Sequence, residues 1–415
     1  MSPSSLIARF AVGRLFSVVG MQMAFITVSW DVYDRTRDPF VLGLVGLVQL
    51  VPVLLFTLPA GNIADRYPRR YVGIAAHTLM ALALVGLAVA SRASAPMYVV
   101  YTLLFAVGLA RAFASPSTNT ILPQLIPAAT LSGANAWLSS SFELGVITGP
   151  ALGGALLAAT HQPLVPFACG AVGQLVFIGV LASMPPPPSG VHATQGKNAR
   201  DVLAGLRFIR NTPVFLGAIT LDLFAVLFGG AVALLPVFAR DVLHVGPSAL
   251  GWMRAAPSVG AMLMSLLATQ LSPWRRPGLV LLLVVAGFGL ASLGFGLSRS
   301  LAPALFFLFL TGVCDSISVV IRQTLEQVMT PDVLRGRVSA VRFVFIGFSN
   351  ELGAFESGVT AAAFGPVGSV VFGGVGALLV VFSVAKLWPQ LLALGPLTHA
   401  APPPQAPPEA ARGIR

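Results

Sequence analysis

The sequence predicts an all-α membrane protein of about twelve transmembrane helices, arranged as two related six-helix halves. Three observations carry that prediction. Of 415 residues, 56% are hydrophobic and only 9% charged, far below the roughly 25% charge of soluble domains, so the chain cannot cover a water-facing surface. Apolar runs of about twenty residues, each able to cross a hydrocarbon core of about 30 Å, recur along its length. The basic residues fall in short loops between those runs. Backbone amides in lipid need internal partners, so the runs read as helices.

Taken in order, the predicted helices lie near 7–33, 40–62, 71–91, 97–120, 131–158 and 163–184, then near 213–238, 248–270, 277–298, 302–328, 337–362 and 366–388. The first run has no signal-peptide architecture, because Arg14 interrupts it and it continues to about Tyr33. Residues 1–184 form the first half and 213–388 the second. Between them, 185–212 opens with four prolines and then carries Lys197, Arg200, Asp201, Arg207 and Arg210, a cytoplasmic linker followed by a short surface helix. The tail, 389–415, is rich in Pro and Ala and is expected to be disordered and cytoplasmic.

The net charge of +11 reflects topology rather than affinity for nucleic acid, since the basic residues form no basic domain. Placing the amino terminus in the cytoplasm assigns 15 of the 25 basic residues to inside loops and tails and five (Arg35, Arg37, Arg92, Arg240 and Arg299) to outside loops. The remaining five (Arg14, Arg111, Arg254, Arg322 and Arg342) fall within helices. The positive-inside rule therefore predicts a multi-pass protein of the inner membrane with both termini cytoplasmic. The halves also echo one another. Pro39, Leu42 and Gly43 match Pro247, Leu250 and Gly251 at an offset of 208, and Gln124, Leu131 and Gly133 match Gln327, Leu334 and Gly336 at 203. Parallel repeats of this kind place a substrate site at the repeat interface.

Two motifs stand out. After the second helix runs Gly61-Asn62-Ile63-Ala64-Asp65-Arg66-Tyr67-Pro68-Arg69-Arg70, and in the fifth runs Gly145-Val146-Ile147-Thr148-Gly149-Pro150-Ala151-Leu152-Gly153-Gly154. The first resembles the G-x-x-x-D-R-x-G-R-R signature of the major facilitator superfamily, departing from it at Pro68. The second resembles the superfamily's G-x-x-x-G-P-x-x-G-G antiporter motif. Physically, Gly61 permits close helix approach, Asp65 can cap or pair at a neighbouring helix end, and Arg66, Arg69 and Arg70 anchor to headgroups, which together make a cytoplasmic gate. An ordinary positive-inside loop would show the same charge. In the second motif small residues admit close helix contact and Pro150 kinks the helix; the alternative is a contact silent in function. Arg111-Ala112-Phe113, Leu122-Pro123 and Leu131-Ser132-Gly133-Ala134-Asn135-Ala136 are similar to a bacterial exporter branch that includes an enterobactin exporter and macrolide-efflux proteins. The resemblance covers residues 6–388 and implies the major facilitator fold, export and a monomer.

A charge at the centre of a membrane helix costs on the order of 2.5–3.5 kcal/mol, so each needs a partner or a task. Glu143 and Asp222 are the candidates for the group that binds and releases a proton. Glu143 could instead be a fixed partner of Arg111 or Arg14, and Asp222 a partner of Arg14 across the pseudo-two-fold. Arg111 falls where the resemblance places a functional arginine, or it closes a structural pair. Asp315 and Arg322 share one face of the tenth helix, and the i,i+4 spacing of Arg322 and Glu326 predicts a local pair. Glu351 and Glu356 are about 140° apart on the eleventh, so only Glu351 is expected to face a central cavity. Phe25, Trp30, Trp137, Phe142, Phe224 and Phe228 are candidates for lining it, with packing or lipid contact as the alternative.

The sequence contains no phosphate-binding loop, no metal-ligand cluster and no nucleophile elbow. Cys169 and Cys314 read as small hydrophobes. The expected partners are protons, the bilayer and a small hydrophobic or amphiphilic substrate, with no cofactor and no metal. The expected function is secondary export by proton antiport. The rivals are a proton-independent facilitator or importer, and a membrane scaffold or sensor without transport.

Overall fold

The computed structural model describes residues 3–185, 199–271 and 274–396, with some side chains, that of Asp65 among them, outside the described set. Helices α1 to α6 are Pro3–Thr36, Pro39–Arg66, Arg69–Arg92, Met97–Thr118, Leu131–Thr160 and Leu164–Ser183. A linker helix, Ala199–Asn211, precedes α7 (Pro213–Phe228), α8 (Pro247–Leu271), α9 (Pro277–Leu297) and α10 (Leu301–Met329). The segment Asp332–Leu387 follows, and it breaks at Gly365, whose φ of 76° is left-handed. Its arms, 332–364 and 366–387, are α11 and α12. No strand occurs among the described residues.

Ten segments among the described residues are long and apolar enough to cross a membrane. The predicted twelve counts the arms of the broken 345–387 segment separately and includes α8, which carries Arg254 and is not among the ten. The seventh helix is also less regular than predicted. It ends at Phe228 and continues through a 3-10 turn, Gly230–Leu234, to a π turn at Phe238–Val242. The tail is ordered further than composition implies. Pro389–Leu392 is helical and Leu391 is fully buried against α9 and α12, because an apolar side chain one turn past Trp388 still finds a core. Residues 397–415 and 186–198 lie outside the described residues.

The helices pack through small residues and buried polar ties. Gln174 of α6 links three helices: Ser17 Oγ donates to its Oε1 at 2.8 Å, His77 Nδ1 lies 2.8 Å from the same oxygen, and its Nε2 donates to the Ser17 carbonyl at 3.0 Å. The linker helix presents Ile209 to Phe215, Val338 and Val341, which docks it at the end of the bundle where α1 begins. That end is called the linker end below, and the other the far end.

The halves meet along two seams related by the sequence repeat. In one, α2 meets α11 where Gly43 faces Gly358; in the other, α8 meets α5 where Gly251 faces Gly154. A Cβ added at Gly43 would lie 3.0 Å from the Gly358 Cα, and one at Gly154 3.0 Å from the Gly251 Cα, so only glycine allows the backbones this close. Both seams lie toward the far end. Toward the linker end Gly61 of α2, Gly133 of α5 and Gly347 of α11 meet nothing within 4 Å. The halves therefore close at the far end and part at the linker end.

Candidate transport site

Midway along the interface, one ion pair joins the halves. Arg111 of α4 reaches Glu351 of α11 at 3.5 Å. Arg111 stands fourteen positions and Glu351 thirteen from the far ends of their helices, about 20 Å along the axis. Phe25 of α1 lies under the guanidinium, 5.5 Å from its carbon to the ring centroid. Glu351 can approach because Gly46 of α2 has no side chain: a Cβ there would lie 3.3 Å from Glu351 Oε2. Arg254 of α8 is within electrostatic reach of the same carboxylate. The carboxylate pairs with Arg111 of the first half and lies in the field of Arg254 of the second. The pairing explains which role Glu351 takes and leaves Glu356 turned away, beside Ser357 and Thr360.

Nearer the linker end, Arg14 and Glu143 line a polar cavity of about 350 Å³ with Asn119, Asn135, Leu138, Ser139 and Phe142. No ion pair joins Arg14 to Glu143 or to any other described acid, and Arg14 lies 6.0 Å from the Phe142 ring centroid. Glu143 does not partner Arg111, because the latter is committed to Glu351. The fifth-helix motif fixes this geometry. Gly145, Gly149 and Gly153 form a stripe against Val18, Val19 and Met23 of α1, and Gly154 turns to α8, as does the Pro150 carbonyl. One short motif therefore packs α5 both within its half and across the interface.

Two pairings differ from the sequence expectation. Asp222 pairs with Arg322 within the second half rather than with Arg14, because α7 and α10 belong to the same half. Arg322 also lies 3.7 Å from Asp315, and Glu326 turns instead to Arg342 of α11 at 2.8 Å. The expected Arg322–Glu326 pair fails because carboxylates nearer across helix interfaces compete for the guanidinium. Asp222, Arg322 and Arg342 border a small separate pocket with Phe215 and Phe345, away from the central pair.

At the linker end, Asp65 sits in α2 by its backbone, and its side chain lies outside the described residues. Arg66 is exposed, and Arg69 is half-buried. Arg70 donates to the carbonyls of Met184, at 2.7 Å, and Ala182. A cation there satisfies the free carbonyls at the end of α6 and complements its dipole. Gly61 meets nothing within 4 Å, so no close helix approach occurs at this position while the linker end is open. The far end, by contrast, is tied across the halves. Arg240 pairs with Asp34 and lies over Trp30, with 5.5 Å to its ring centroid; Tyr33 donates to Asp241, and Arg37 lies 3.5 Å from Asp241.

Of the proposed cavity aromatics, Phe25 and Phe142 lie at the sites just described. Trp30 belongs to the far-end tie. Trp137 is exposed, and Phe224 and Phe228 stack on one another against Phe372 of α12. Sequence reasoning missed the far-end tie and the polar stripe of α5. The latter was detectable: Asn135, Ser139 and Glu143 repeat every four residues, one face of a helix.

A two-half helical bundle with a charged mid-membrane seam defines a membrane transporter rather than an enzyme. The chain belongs to the Major Facilitator Superfamily, whose profile matches residues 10–354. Among similar proteins, the enterobactin exporter EntS of Citrobacter koseri is 27% identical over 401 residues, covering 95% of this chain and 93% of that protein. EntS of Shigella boydii serotype 4 is 26% identical over 374 residues, covering 88% of each. Among solved structures, an inward-facing, occupied bacterial homolog of the human lysosomal transporter Spinster aligns with a TM-score of 0.75 at 16% identity, covering 94% of this chain and 99% of that one. A bacterial homologue of the iron transporter ferroportin, also inward-facing, gives 0.68 at 16%, covering 95% and 100%. At such identities these structures establish the fold alone.

Proposed function

We propose that this transporter exports a small amphiphilic molecule from the cytoplasm across the inner membrane in exchange for protons, by alternating access. The linker end is cytoplasmic on this reading, as the distribution of basic residues favours. The observation that carries it is the Arg111–Glu351 pair at 3.5 Å between halves that touch at the far end and part at the linker end. A mid-membrane pair joining two bodies can make and break as they rock, whereas pairs within one half cannot. Glu143, which lines the cytoplasm-facing cavity with no cationic partner, is the group that exchanges the proton. Two relatives named as enterobactin exporters support the outward direction and a siderophore-like substrate.

The test is efflux from cells of a fluorescent amphiphilic cation, a macrolide and a catecholate siderophore, with and without a protonophore, in wild type, Glu143→Gln and Glu143→Ala. Protonophore-sensitive efflux lost in both variants supports exchange at Glu143. Loss in Glu143→Ala alone assigns that side chain a polar role without protonation. Efflux insensitive to the protonophore removes proton coupling and leaves a facilitator.

A further inference from the structure

The cavity between α1, α5 and the turn after α4 has a feature that a structural pocket lacks. Its two ionisable groups, Arg14 and Glu143, have opposite charge, share one space of about 350 Å³ and do not pair with each other. They stand eleven and twelve residues in from the linker ends of α1 and α5, about 17 Å deep. The guanidinium has the Phe142 ring 6.0 Å away, and the exposed carboxyl has no cationic partner among the described residues. An ion pair between the two would satisfy both, yet none joins them across the packed α1 and α5 helices. Asn135 and Ser139 continue the Glu143 stripe toward the linker end, and neither has a side-chain partner. Asn119 faces them from the end of α4, with one weak bond to Ser115 Oγ at 3.4 Å. Leu138 and Phe142 supply the apolar wall.

We infer that this cavity is a capture site for a zwitterionic amphiphile, in which Arg14 receives the ligand's acidic group and Glu143 its cationic or hydrogen-bond-donating group. The inference rests on the export reading above for its direction, and names the substrate class. A ligand carrying both signs satisfies both walls at once. A purely cationic ligand leaves the guanidinium facing a like charge, and a purely anionic one does the same to the carboxylate. Arg14 is thus the specificity-determining residue, since a proton on Glu143 can silence the acidic wall but nothing silences the guanidinium. The volume falls in the range of small-molecule pockets, so it holds a headgroup and one ring, with the ligand's apolar part against Leu138 and Phe142. Release of the proton from Glu143 then accompanies capture, because the ligand's cationic group needs the carboxylate.

The experiment is a fluorescence-polarisation titration of the full-length protein in lipid nanodiscs with rhodamine B, whose carboxylate and cationic ring system make it zwitterionic, and with its ethyl ester, a pure cation on the same scaffold. Wild type is expected to bind the zwitterion more tightly. Arg14→Gln is expected to weaken zwitterion binding by about tenfold or more, the usual effect of losing a charge-assisted contact, and to leave ester binding unchanged or tighter, since a like charge is removed. Arg14→Lys should keep most of the preference, which separates lost charge from lost folding. Equal affinities for the two dyes in wild type, equal effects of Arg14→Gln on both, or binding of neither dye overturns the inference. Protonophore-sensitive efflux without dye selectivity would leave export standing and remove this site. Selectivity at Arg14 without protonophore-sensitive efflux would keep the site and remove the coupling.

Discussion

Arg111 and Glu351 are 240 positions apart in the chain and 3.5 Å apart in space, one from each half. The contact is an anchor for the motion proposed, because the two residues ride on bodies that must move relative to one another. Replacing either by its neutral counterpart, Arg111→Gln or Glu351→Gln, is expected to reduce efflux by about tenfold or more, by removing one side of the pair that joins the halves. Exchanging the two, Arg111→Glu with Glu351→Arg, should recover part of it. Efflux assays on the four proteins, at matched expression, decide the matter; a swap no better than the singles removes the pair from the mechanism.

The far-end tie predicts a conformational bias. Asp34 and Asp241 hold Arg240, Arg37 and Tyr33 across the halves. The double variant Asp34→Asn, Asp241→Asn should open that end. After replacement of Cys169 and Cys314, spin labels at Tyr98 and Leu297, both exposed at the far end on opposite halves, should gain a second, longer distance population. An unchanged distribution would show that the glycine seams alone hold the far end shut.

Those seams make their own prediction. Gly358→Ala places a Cβ 2.7 Å from the Gly43 Cα, closer than side chains approach backbone. The halves must separate there, so the same label pair should report a shift toward far-end opening while the thermal transition within each half changes little. A lowered transition with no change in distance would mean that the helices bend instead.

In the second half, Arg322 lies between Asp222 and Asp315, with most of its own side chain out of solvent. Arg322→Gln leaves an uncompensated carboxylate and is expected to cost about 3–5 kcal/mol, whereas Asp222→Asn with Arg322→Gln should cost less than that single change. Thermal unfolding in detergent measures both. If the double variant is no better than the single, the pair contributes nothing that depends on charge.

Gln174 holds α1, α3 and α6 through Ser17 and His77. Gln174→Leu leaves buried polar groups on both neighbours without partners, at an expected cost of about 1–3 kcal/mol each. The thermal transition should fall, with dye binding at the Arg14 cavity retained in the protein that remains folded.

Most of the fold was legible because lipid imposes its own rules. A backbone that cannot bond to water must be helical, and a stretch without charges must be about as long as the bilayer is thick. Those constraints act within each segment, so Leu164–Ser183 and Pro277–Leu297 can be read from local composition. They fail where a segment departs from uniform hydropathy. The π turn at Phe238–Val242 and the buried Leu391 beyond Trp388 come from packing against neighbours.

By itself, the sequence determined the membrane-spanning all-α class, the repeat of two halves and the set of charges that membrane depth makes costly. Only the tertiary structure decided how those charges pair. Arg322 turned from Glu326, four residues away on its own helix, to Asp222 on another, and Arg111 turned to Glu351 in the other half. The physical reason is range: hydropathy and helical period act over a few residues, whereas a buried ion takes whichever opposite charge the packed helices bring nearest, and that is fixed by where small residues such as Gly46, Gly154 and Gly251 let backbones meet.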